Sequence, residues 1–573
     1  MDARCPACAP PIDRAQVPML ERRIGRDGDR PLVYLDSAAT SLVPLRVTDA
    51  VSRFLHTSCA NIHRGAHVLA EEATDAYECA RERLAACLGV DDAARVVFTH
   101  GATESLNLAA LCWAEHALRP GDIVAVAEDN HHANIVCWQM LAERRGVELA
   151  WIPLGSDGRL DCAAWERIAE RGPKLVALAQ QSNVVGWEQP DLPRILDDAR
   201  RAGAFTALDG AQAVGHEAVN LAALPVDFYA LSAHKMMGLT GIGALACSPR
   251  AFEGMRPALG GGGMVARVDR QGYALAPGPQ GFEAGTPAIA AAVAWDEALR
   301  MREEAGMEAV RRHVTALAAR AQRGLAALPG VRVLGGAELP ATSLVSFTVE
   351  GVHPHDASAI LDAEGVLVRA GHHCAKPLHA ALGARASVRA SFAGYSSDED
   401  VNALLRAAAS RRAGGTIAVR IDDKRIAERC RRPRCKGFEG AYDGAATGEN
   451  PFCGDALEVR VALERRACGL AVARASFEGY ACSLCTASAD VLMERASGMP
   501  AEDAAVLRVV DVLRWWGGLE VGRTRKGCVD LPVSVFKARS RSRSNERGRV
   551  CQQIAWDARR RRRAAGQRGR TWA

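Results

Sequence analysis

The sequence lacks any long apolar run. No segment approaches the roughly 18 consecutive apolar residues that a membrane span needs. The first residues, MDARCPACAPPIDRAQ, contain no apolar stretch of the kind found in a secretory signal. We therefore expect a cytoplasmic protein with no membrane partner.

A strong overall charge is also missing, since the formal net charge is only +5 over 573 residues. Residues 537–573 hold 13 Lys or Arg against two acidic residues, Glu546 and Asp557. The rest of the chain is therefore mildly acidic, which excludes a basic surface over the whole protein. The basic end has no accompanying aromatic platform, so we expect it to be solvated and expect no nucleic-acid partner.

Cysteine, in contrast, is abundant, with 18 residues. In a reducing compartment these residues do not form a disulfide framework, and most of them lie in apolar stretches typical of a core. Cys5 and Cys8 form a CxxC in a polar segment, where an isolated pair is weak grounds for a metal site. A few others lie among Gly, His and Asp, and these are candidates for chemistry.

The length predicts more than one domain. We expect a flexible arm over 1–30, a first domain over 31–413, a second over 416–557 and a basic disordered tail over 558–573, with Gly414-Gly415 near the boundary. The first domain alternates short β-rich runs with Ala-rich helical runs, which predicts an α/β fold with a parallel sheet covered on both faces. Strands are predicted over 97–100, 122–128, 174–180, 205–209 and 226–232, and helices over 70–88, 133–145, 193–202 and 305–328.

The most informative run is YALSAHKMMGLTGIG, in which Lys235 follows a predicted strand. Apolar surroundings favour the neutral amine that a Schiff base requires. Upstream, Asp209 ends another strand in TALDGAQAVG, and Gln212 lies on the same turn. A lysine amine and a carboxylate for the ring nitrogen are the groups that pyridoxal 5'-phosphate (PLP) most needs from a protein.

Two further strand ends fit the same cofactor. In FTHGATESLNLAA a strand runs into a helix at Thr103, and amide groups at a helix start suit a phosphate. In EDNHHANIVCWQ, His131 follows a strand, where its flat ring could cover one face of the cofactor.

Residues 31–410 resemble the group II, SufS-type cysteine desulfurases, which have the PLP-dependent aminotransferase class V fold (fold type I). The matching runs include NIHRGAH, THGATESLN, DGAQAVGH, SAHKMMG, FEAGTP and VRAGHHCAKPL. The resemblance implies that Lys235 binds PLP and moves the substrate α-proton. It further implies a homodimer, because Thr286 would reach the phosphate of the neighbouring subunit. The remaining implied roles are ring contacts by Asp209, Gln212, His131 and Asn183, phosphate contacts by Thr103, Ser232 and His234, and substrate contacts by Arg389, Arg369 and Asn183.

The predicted nucleophile is Cys374 in RAGHHCAKP. Arg369, His372 and His373 are its neighbours in sequence, and cationic neighbours raise the thiolate fraction of a cysteine. The resemblance implies that L-cysteine is converted to L-alanine with a persulfide on Cys374. Selenocysteine lyase, or another class V PLP enzyme, remains an alternative.

The cysteines of the second domain predict a site that binds a metal or carries sulfur. Cys453 and Asp455 lie two apart in a glycine turn, Cys482 precedes a predicted helix, and Cys551 comes late in RGRVCQQIAWDA. Three thiolates and a carboxylate can complete a tetrahedral zinc site, although the spacing matches no local zinc-finger pattern. Cys528 is the alternative third thiolate.

This domain resembles the family of IscU and the NifU N-terminal domain, which has an α+β fold smaller than the first domain. Within that family it is most similar to SufU, the branch that binds zinc. The resemblance makes Cys453, Asp455, Cys482 and Cys551 the metal site, and His355, in VHPHD, a ligand that exchanges onto the metal. It implies a sulfur acceptor for iron–sulfur cluster assembly, with cluster-assembly proteins as partners. The alternative is a scaffold on which the thiolates hold iron or an iron–sulfur cluster.

Overall fold

The structure is a computed structural model that describes residues 9–24, 28–336, 342–409, 424–450, 453–467 and 469–537. Contacts divide the chain into two units. Unit 1 comprises residues 1–350 and 361–411, and unit 2 comprises residues 351–360 and 412–573. Among the described residues, no helix is both long and apolar enough to cross a bilayer.

The strands and helices are numbered in chain order. The strands are β1 (Arg23–Ile24), β2 (Arg30–Pro31), β3 (Val33–Tyr34), β4 (Val96–Thr99), β5 (Ile123–Ala127), β6 (Glu148–Ile152), β7 (Leu175–Ala179), β8 (Phe205–Asp209), β9 (Phe228–Ser232), β10 (Gly243–Cys247), β11 (Val265–Val268), β12 (Tyr273–Leu275), β13 (Val331–Val333), β14 (Leu344–Val349), β15 (Val366–Leu367), β16 (Arg369–Gly371), β17 (Ser387–Ser391), β18 (Gly444–Glu449), β19 (Ala456–Arg466) and β20 (Gly469–Tyr480). The α-helices are α1 (Leu45–Thr57), α2 (Val68–Cys87), α3 (Ala102–Leu108), α4 (Glu115–Ala117), α5 (Ala133–Arg145), α6 (Cys162–Glu170), α7 (Leu192–Arg201), α8 (Pro249–Gly254), α9 (Ile289–Ala305), α10 (Met307–Ala326), α11 (Pro354–Ala363), α12 (Lys376–Ala381), α13 (Asp398–Ala409), α14 (Lys424–Arg431), α15 (Ser483–Ala496), α16 (Ala501–Ala504), α17 (Val509–Trp515) and α18 (Lys526–Lys537).

Unit 1 is built on a seven-stranded sheet in the order β4-β10-β9-β8-β7-β5-β6. Strands such as β5 (IVAVA) and β7 (LVALA) are buried along their whole length, as expected for a sheet covered on both faces. Alternate residues of β7 enter separate apolar clusters, with Val176 and Leu178 in one and Leu175 and Ala177 in the other. The predicted α/β fold is confirmed.

One strand departs from the predicted parallel sheet, because β10 runs antiparallel to both β4 and β9. The connection from β9 to β10 holds only a short 3₁₀ turn, Ala233–Lys235, and a glycine-rich loop. A parallel return requires a crossover of about a dozen residues or more, usually through a helix, so this shorter connection reverses the chain.

Unit 1 also contains a smaller antiparallel sheet in the order β13-β14-β17-β16. Part of the predicted flexible arm packs against this unit. Ile12 and Val17 are buried, and Arg14 forms an ion pair with Asp400 at 2.8 Å. Residues 9–24 are therefore anchored by apolar burial and a charge pair rather than free, whereas Cys5 and Cys8 lie outside the described residues.

In unit 2, β18, β19 and β20 form an antiparallel meander. Its core includes Phe477, Leu492 and Trp516, and α15 is buried along most of its length. The predicted boundary at Gly414-Gly415 and the predicted tail over 558–573 lie outside the described residues.

Candidate functional site

A cavity of about 210 Å³ lies in unit 1 beyond the carboxyl ends of the parallel strands. Open α/β sheets bind ligands at this edge, because the loops that leave the strands converge there. All but one of the residues predicted for this site line the cavity: Thr103, His131, Asn183, Asp209, Gln212, Ser232, His234, Lys235, Arg369, Cys374 and Arg389. The exception is Thr286, which is exposed and does not line it.

Lys235 and Asp209 both line the cavity, and the charge of each affects the pKa of the other. Burial lowers the pKa of Lys235 to about 8, although the Asp209 carboxylate opposes that change. Burial raises the pKa of Asp209, although Lys235 and the Ala211 amide, which donates to Oδ1 at 3.0 Å, oppose it. About half of the Lys235 amine is therefore neutral near pH 8, and the neutral amine is the form that nucleophilic attack requires.

The start of α3 forms one end of the cavity. Gly101 caps this helix with φ +151°, a conformation that L side chains rarely adopt. The Ala102 amide donates to Ser232 Oγ at 2.8 Å, so the end of β9 lies against the start of α3. His234 Nδ1 is buried with no partner among the described residues, and burial lowers the pKa of His234 to about 4.

His131 and Gln212 occupy the walls between these groups. The Ala133 amide donates to His131 Nδ1 at 3.1 Å, which assigns the ring proton to Nε2. Burial, followed by the charge of Lys235, lowers the pKa of His131 to about 3, so the ring is neutral. Gln212 is held by its Nε2, which donates to the Ala38 carbonyl at 2.9 Å.

Arg389 places a buried guanidinium in the cavity wall. Its Nη1 donates to the Asn183 carbonyl at 2.9 Å, and its Nη2 lies 3.5 Å from Asp36 Oδ1. Its Nε is buried without a partner among the described residues. Burial lowers the pKa of Arg389 to about 10, so the group stays charged at neutral pH and retains a free donor for an anion.

Cys374 is exposed and follows β16 in a strained loop, with φ +51° at His373 and +56° at Cys374. Two neighbours hold this loop. The His132 amide donates to the Cys374 carbonyl at 2.7 Å, and Asn183 Nδ2 donates to the His373 carbonyl at 2.5 Å. Backbone strain of this kind persists only where surrounding contacts enforce it.

One of the cationic neighbours predicted for Cys374, His373, carries no charge. Burial lowers the pKa of His373 well below its usual value, so this imidazole is neutral and contributes no charge. Its Nε2 contacts Ser387 Oγ at 3.1 Å. Arg369 is exposed and lines the same cavity as Cys374, so it keeps its predicted place as a cationic neighbour of the thiol.

Unit 2 contains a buried group of thiols around Asp455. The ligand atoms of Cys453, Asp455 and Cys528 lie within 4.8 Å of one another, and so do those of His355, Cys482 and Cys528. Asp455 joins the two sets, because its Oδ1 accepts from the Cys482 amide at 2.7 Å and its Oδ2 lies 3.5 Å from Cys482 Sγ.

The local fold explains how these residues meet. Cys453 and Asp455 precede β19, Cys482 lies two residues after β20 and is the N-cap of α15, and Cys528 lies in α18. His355 belongs to the segment 351–360 of unit 2. Cys551 lies outside the described residues, and Cys528, the alternative, is the third thiol of the group.

Two further groups border this cluster. His353 Nε2 lies 3.1 Å from Asp455 Oδ1, and burial lowers the pKa of His353 to about 4. Asp356 Oδ2 accepts from both the amide and the hydroxyl of Ser483, each at 2.9 Å, at the start of α15.

The geometry agrees with comparisons to known proteins. The aminotransferase class-V family matches residues 33–404, and the NifU-like N terminal domain matches residues 421–540. A probable cysteine desulfurase of Vibrio cholerae serotype O1 is 41% identical over 394 residues, which cover 69% of this chain and 96% of that protein. One from Halobacterium salinarum is 42% identical over 401 residues, covering 69% and 96% respectively.

The chain belongs to the cysteine desulfurases of the aminotransferase class-V family. The crystal structure of the cysteine desulfurase CsdA from Escherichia coli matches with a TM-score of 0.63 at 38% identity, covering 69% of this chain and 96% of that one. An apo cysteine desulfurase from Thermococcus onnurineus NA1 matches with a TM-score of 0.64 at 38% identity, covering 66% and 94%. Residues 421–540 of this desulfurase, which follow the PLP-enzyme part of the chain, match the domain that is named after the N terminus of NifU.

Sequence reasoning missed some supporting groups of the desulfurase site. His132 binds the nucleophile loop at two points, since its Nε2 also accepts from the Lys376 amide at 3.1 Å. Asp36, from the loop after β3, lies beside Arg389. The paired histidines in EDNHHAN were the one sequence feature that pointed to His132, whereas Asp36 joins the site only through the tertiary fold.

Proposed function

We propose that this chain converts L-cysteine to L-alanine and receives the sulfur as a persulfide on Cys374. The observation that carries the proposal is that Cys374 opens onto the same cavity as Lys235, Asp209 and Arg389. A nucleophilic thiol, an amine of lowered pKa and a buried guanidinium thus face one small volume. L-Cysteine offers a sulfur, an α-proton and a carboxylate for these three groups.

The cavity also fits PLP, which supplies an electron sink for the substrate carbon during the reaction. The buried Asp209 carboxylate suits a protonated ring nitrogen, and the neutral His131 ring suits a stacking role. The start of α3, with Thr103 and Ser232 nearby, suits a phosphate, and the unpartnered His234 Nδ1 is a buried group that such a ligand would satisfy.

The chain's own residues have separable tasks in this proposal. The Arg389 guanidinium binds the substrate carboxylate, and Asn183 keeps that guanidinium in place through its carbonyl. The Lys235 amine holds the cofactor and moves the α-proton of the substrate. The Cys374 thiolate attacks the substrate sulfur, so a sulfur–sulfur bond forms as the substrate Cβ–sulfur bond breaks, and the released carbon product takes up a proton to become alanine.

The test is Cys374→Ser, with Cys59→Ser as control because Cys59 is an exposed thiol outside the cavity. The serine variant should lose alanine and sulfide formation from L-cysteine, while the control keeps the wild-type rate. Wild-type turnover by Cys374→Ser would contradict the assignment of Cys374 as the nucleophile.

We further propose that unit 2 accepts this sulfur for iron–sulfur cluster assembly, with Cys453 as the first acceptor, and that it binds zinc. Buried thiols and a carboxylate within 4.8 Å of one another support a tetrahedral site. The two overlapping sets share Cys528, so His355 and Cys482 could hold the metal when Cys453 leaves it to take up sulfur. Covalent linkage would present the acceptor at roughly millimolar effective concentration.

Metal analysis of the purified chain tests this role. Zinc at one equivalent supports the acceptor, whereas iron with acid-labile sulfide would favour the alternative of a cluster scaffold. Cys453→Ser should lower sulfur transfer to unit 2 while leaving single-turnover alanine formation intact, because Cys453 does not line the desulfurase cavity.

A homodimer is the proposed assembly. Thr286 is exposed and lies outside its own cavity, which suits contact with a second copy. The hairpin β11–β12 also exposes Val268 and Tyr273, with 69% and 65% of their surfaces accessible. Light scattering of the purified chain should give twice the monomer mass of 61.0 kDa.

A further inference from the structure

One buried thiol in unit 2 has no task in the proposed metal site. Cys485 follows Cys482 in the run Cys482-Ser-Leu-Cys485, and both side chains are fully buried. CxxC is the spacing of redox-active dithiols. Neither thiol is paired in a disulfide in this structure.

The position of the two residues on α15 brings their side chains together. Cys482 is the N-cap of this 14-residue helix, with φ −64° and ψ 163°, and Cys485 is the third residue inside it. In a capping box the side chains at these two positions each reach the backbone N–H of the other residue, so they lie on the same side of the first helical turn. Helix geometry puts Cα atoms three residues apart at about 5 Å, within the roughly 4.4–6.8 Å range of disulfides.

Asp455 contacts both thiols. Its Oδ2 lies 3.5 Å from Cys482 Sγ, and burial, followed by the charge of the nearby Asp455 carboxylate, raises the pKa of the Cys485 thiol. Cys453 also belongs to this cluster, because its sulfur lies within 4.8 Å of an Asp455 oxygen.

We propose that Cys482 and Cys485 form a dithiol pair that discharges accepted sulfur as sulfide. This inference rests on the proposed role of unit 2 as a sulfur acceptor. In the first step Cys482 leaves the proposed metal, and its thiolate takes the outer sulfur of a persulfide on Cys453, which leaves Cys453 as a thiol. In the second step Cys485 attacks the inner sulfur of the Cys482 persulfide and forms a Cys482–Cys485 disulfide.

The step is balanced without an outside oxidant. The sulfur–sulfur bond of the persulfide breaks as the disulfide bond forms, so the persulfide sulfur is reduced and the two cysteine sulfurs are oxidised. The outer sulfur leaves with the proton that Cys485 loses, as hydrogen sulfide. A cellular dithiol reductant then restores the pair for another cycle.

The experiment uses the full-length chain with Cys374→Ala, charged with inorganic polysulfide, so that sulfur arrives without the desulfurase. After desalting, and with no reductant added, released sulfide is measured and the tryptic peptide 475–495 is analysed by mass spectrometry. This peptide contains Cys482 and Cys485 and no other cysteine. Sulfide release should be matched by a peptide that has lost two hydrogens and resists alkylation.

Cys485→Ser in the same background should lose this release and retain an added sulfur on Cys482. Cys435→Ser is the matched control, since Cys435 is a half-buried thiol of the same unit outside the cluster, and it should release sulfide as the parent does. The proposal is overturned if peptide 475–495 keeps two alkylatable thiols after sulfide has been released, a result that does not depend on folding of any Cys485 variant. Because polysulfide bypasses Cys374, this failure is distinct from a failure of transfer between the two parts of the chain.

Discussion

Arg389 offers the sharpest quantitative test of how the cavity recognises its substrate. The guanidinium is 3% exposed and keeps a buried Nε with no partner among the described residues, so it retains donor capacity for a carboxylate. Hydrogen bonds to charged groups contribute about 1.5–3 kcal/mol each, so losing one should lower kcat/KM for L-cysteine by about 10- to 150-fold. We expect Arg389→Gln to show this loss mainly as a raised KM, because the carboxylate is bound in both the ground state and the transition state.

The assay is alanine formation against L-cysteine concentration. Arg389 also donates to the Asn183 carbonyl, so thermal unfolding of the variant must be measured beside its kinetics. Arg312→Gln is the control, since 72% of the Arg312 side chain is accessible and no residue of its helix, α10, lines the cavity. Arg389→Lys keeps the charge but loses the fork geometry and should fall between the other two. A folded Arg389→Gln variant whose kcat/KM lies within about threefold of wild type, less than the smallest loss expected for one charged hydrogen bond, would refute the assignment.

Three further predictions follow from particular groups. The rate at which apo-enzyme binds PLP covalently should rise with pH through about 8 and level off above it, because the neutral amine of Lys235 is the reactive form. The rate is measured by absorbance at each pH, and a rate that does not change with pH would contradict the prediction. Arg81→Ala should lower the free energy of unfolding by about 3–5 kcal/mol, since it removes the charge partner of the buried Glu283 carboxylate, whereas Arg83→Ala, at a more exposed pair, should cost about 1 kcal/mol or less in the same denaturant titration. Cys528→Ser should remove bound zinc, as measured by metal analysis of the full chain, and Cys551→Ser should leave it bound; the opposite pattern would restore Cys551 as the third ligand.

Much of the desulfurase cavity could be predicted from sequence because its groups are local to strand ends. Asp209 ends the buried strand β8 and Lys235 lies just after the buried strand β9, and parallel strands bring their carboxyl ends to one edge of a sheet. The family resemblance supplied the separate roles of these groups. The reversed strand β10 was not foreseen, because the apolar pattern of a buried strand does not encode its direction.

The thiol cluster of unit 2 was harder to predict. Cys482 and Cys453 have turn and helix contexts that mark them, but Cys528 lies within α18, and its membership depends on how that helix packs against β19 and α15. No periodic pattern links such distant positions. The charge of His373 also depends on burial, which lowers its pKa and removes the positive charge that its place beside Cys374 suggested.

The central claim is that Cys374 receives the sulfur of L-cysteine. The most direct test is mass spectrometry of the tryptic peptide 370–385, in which Cys374 is the only cysteine, after a single turnover with L-cysteine and alkylation. We predict one additional sulfur on this peptide, in step with the alanine formed. Alanine formed in equal amount with peptide 370–385 unmodified, and the sulfur free in solution or on another cysteine from the first time point, would contradict the claim.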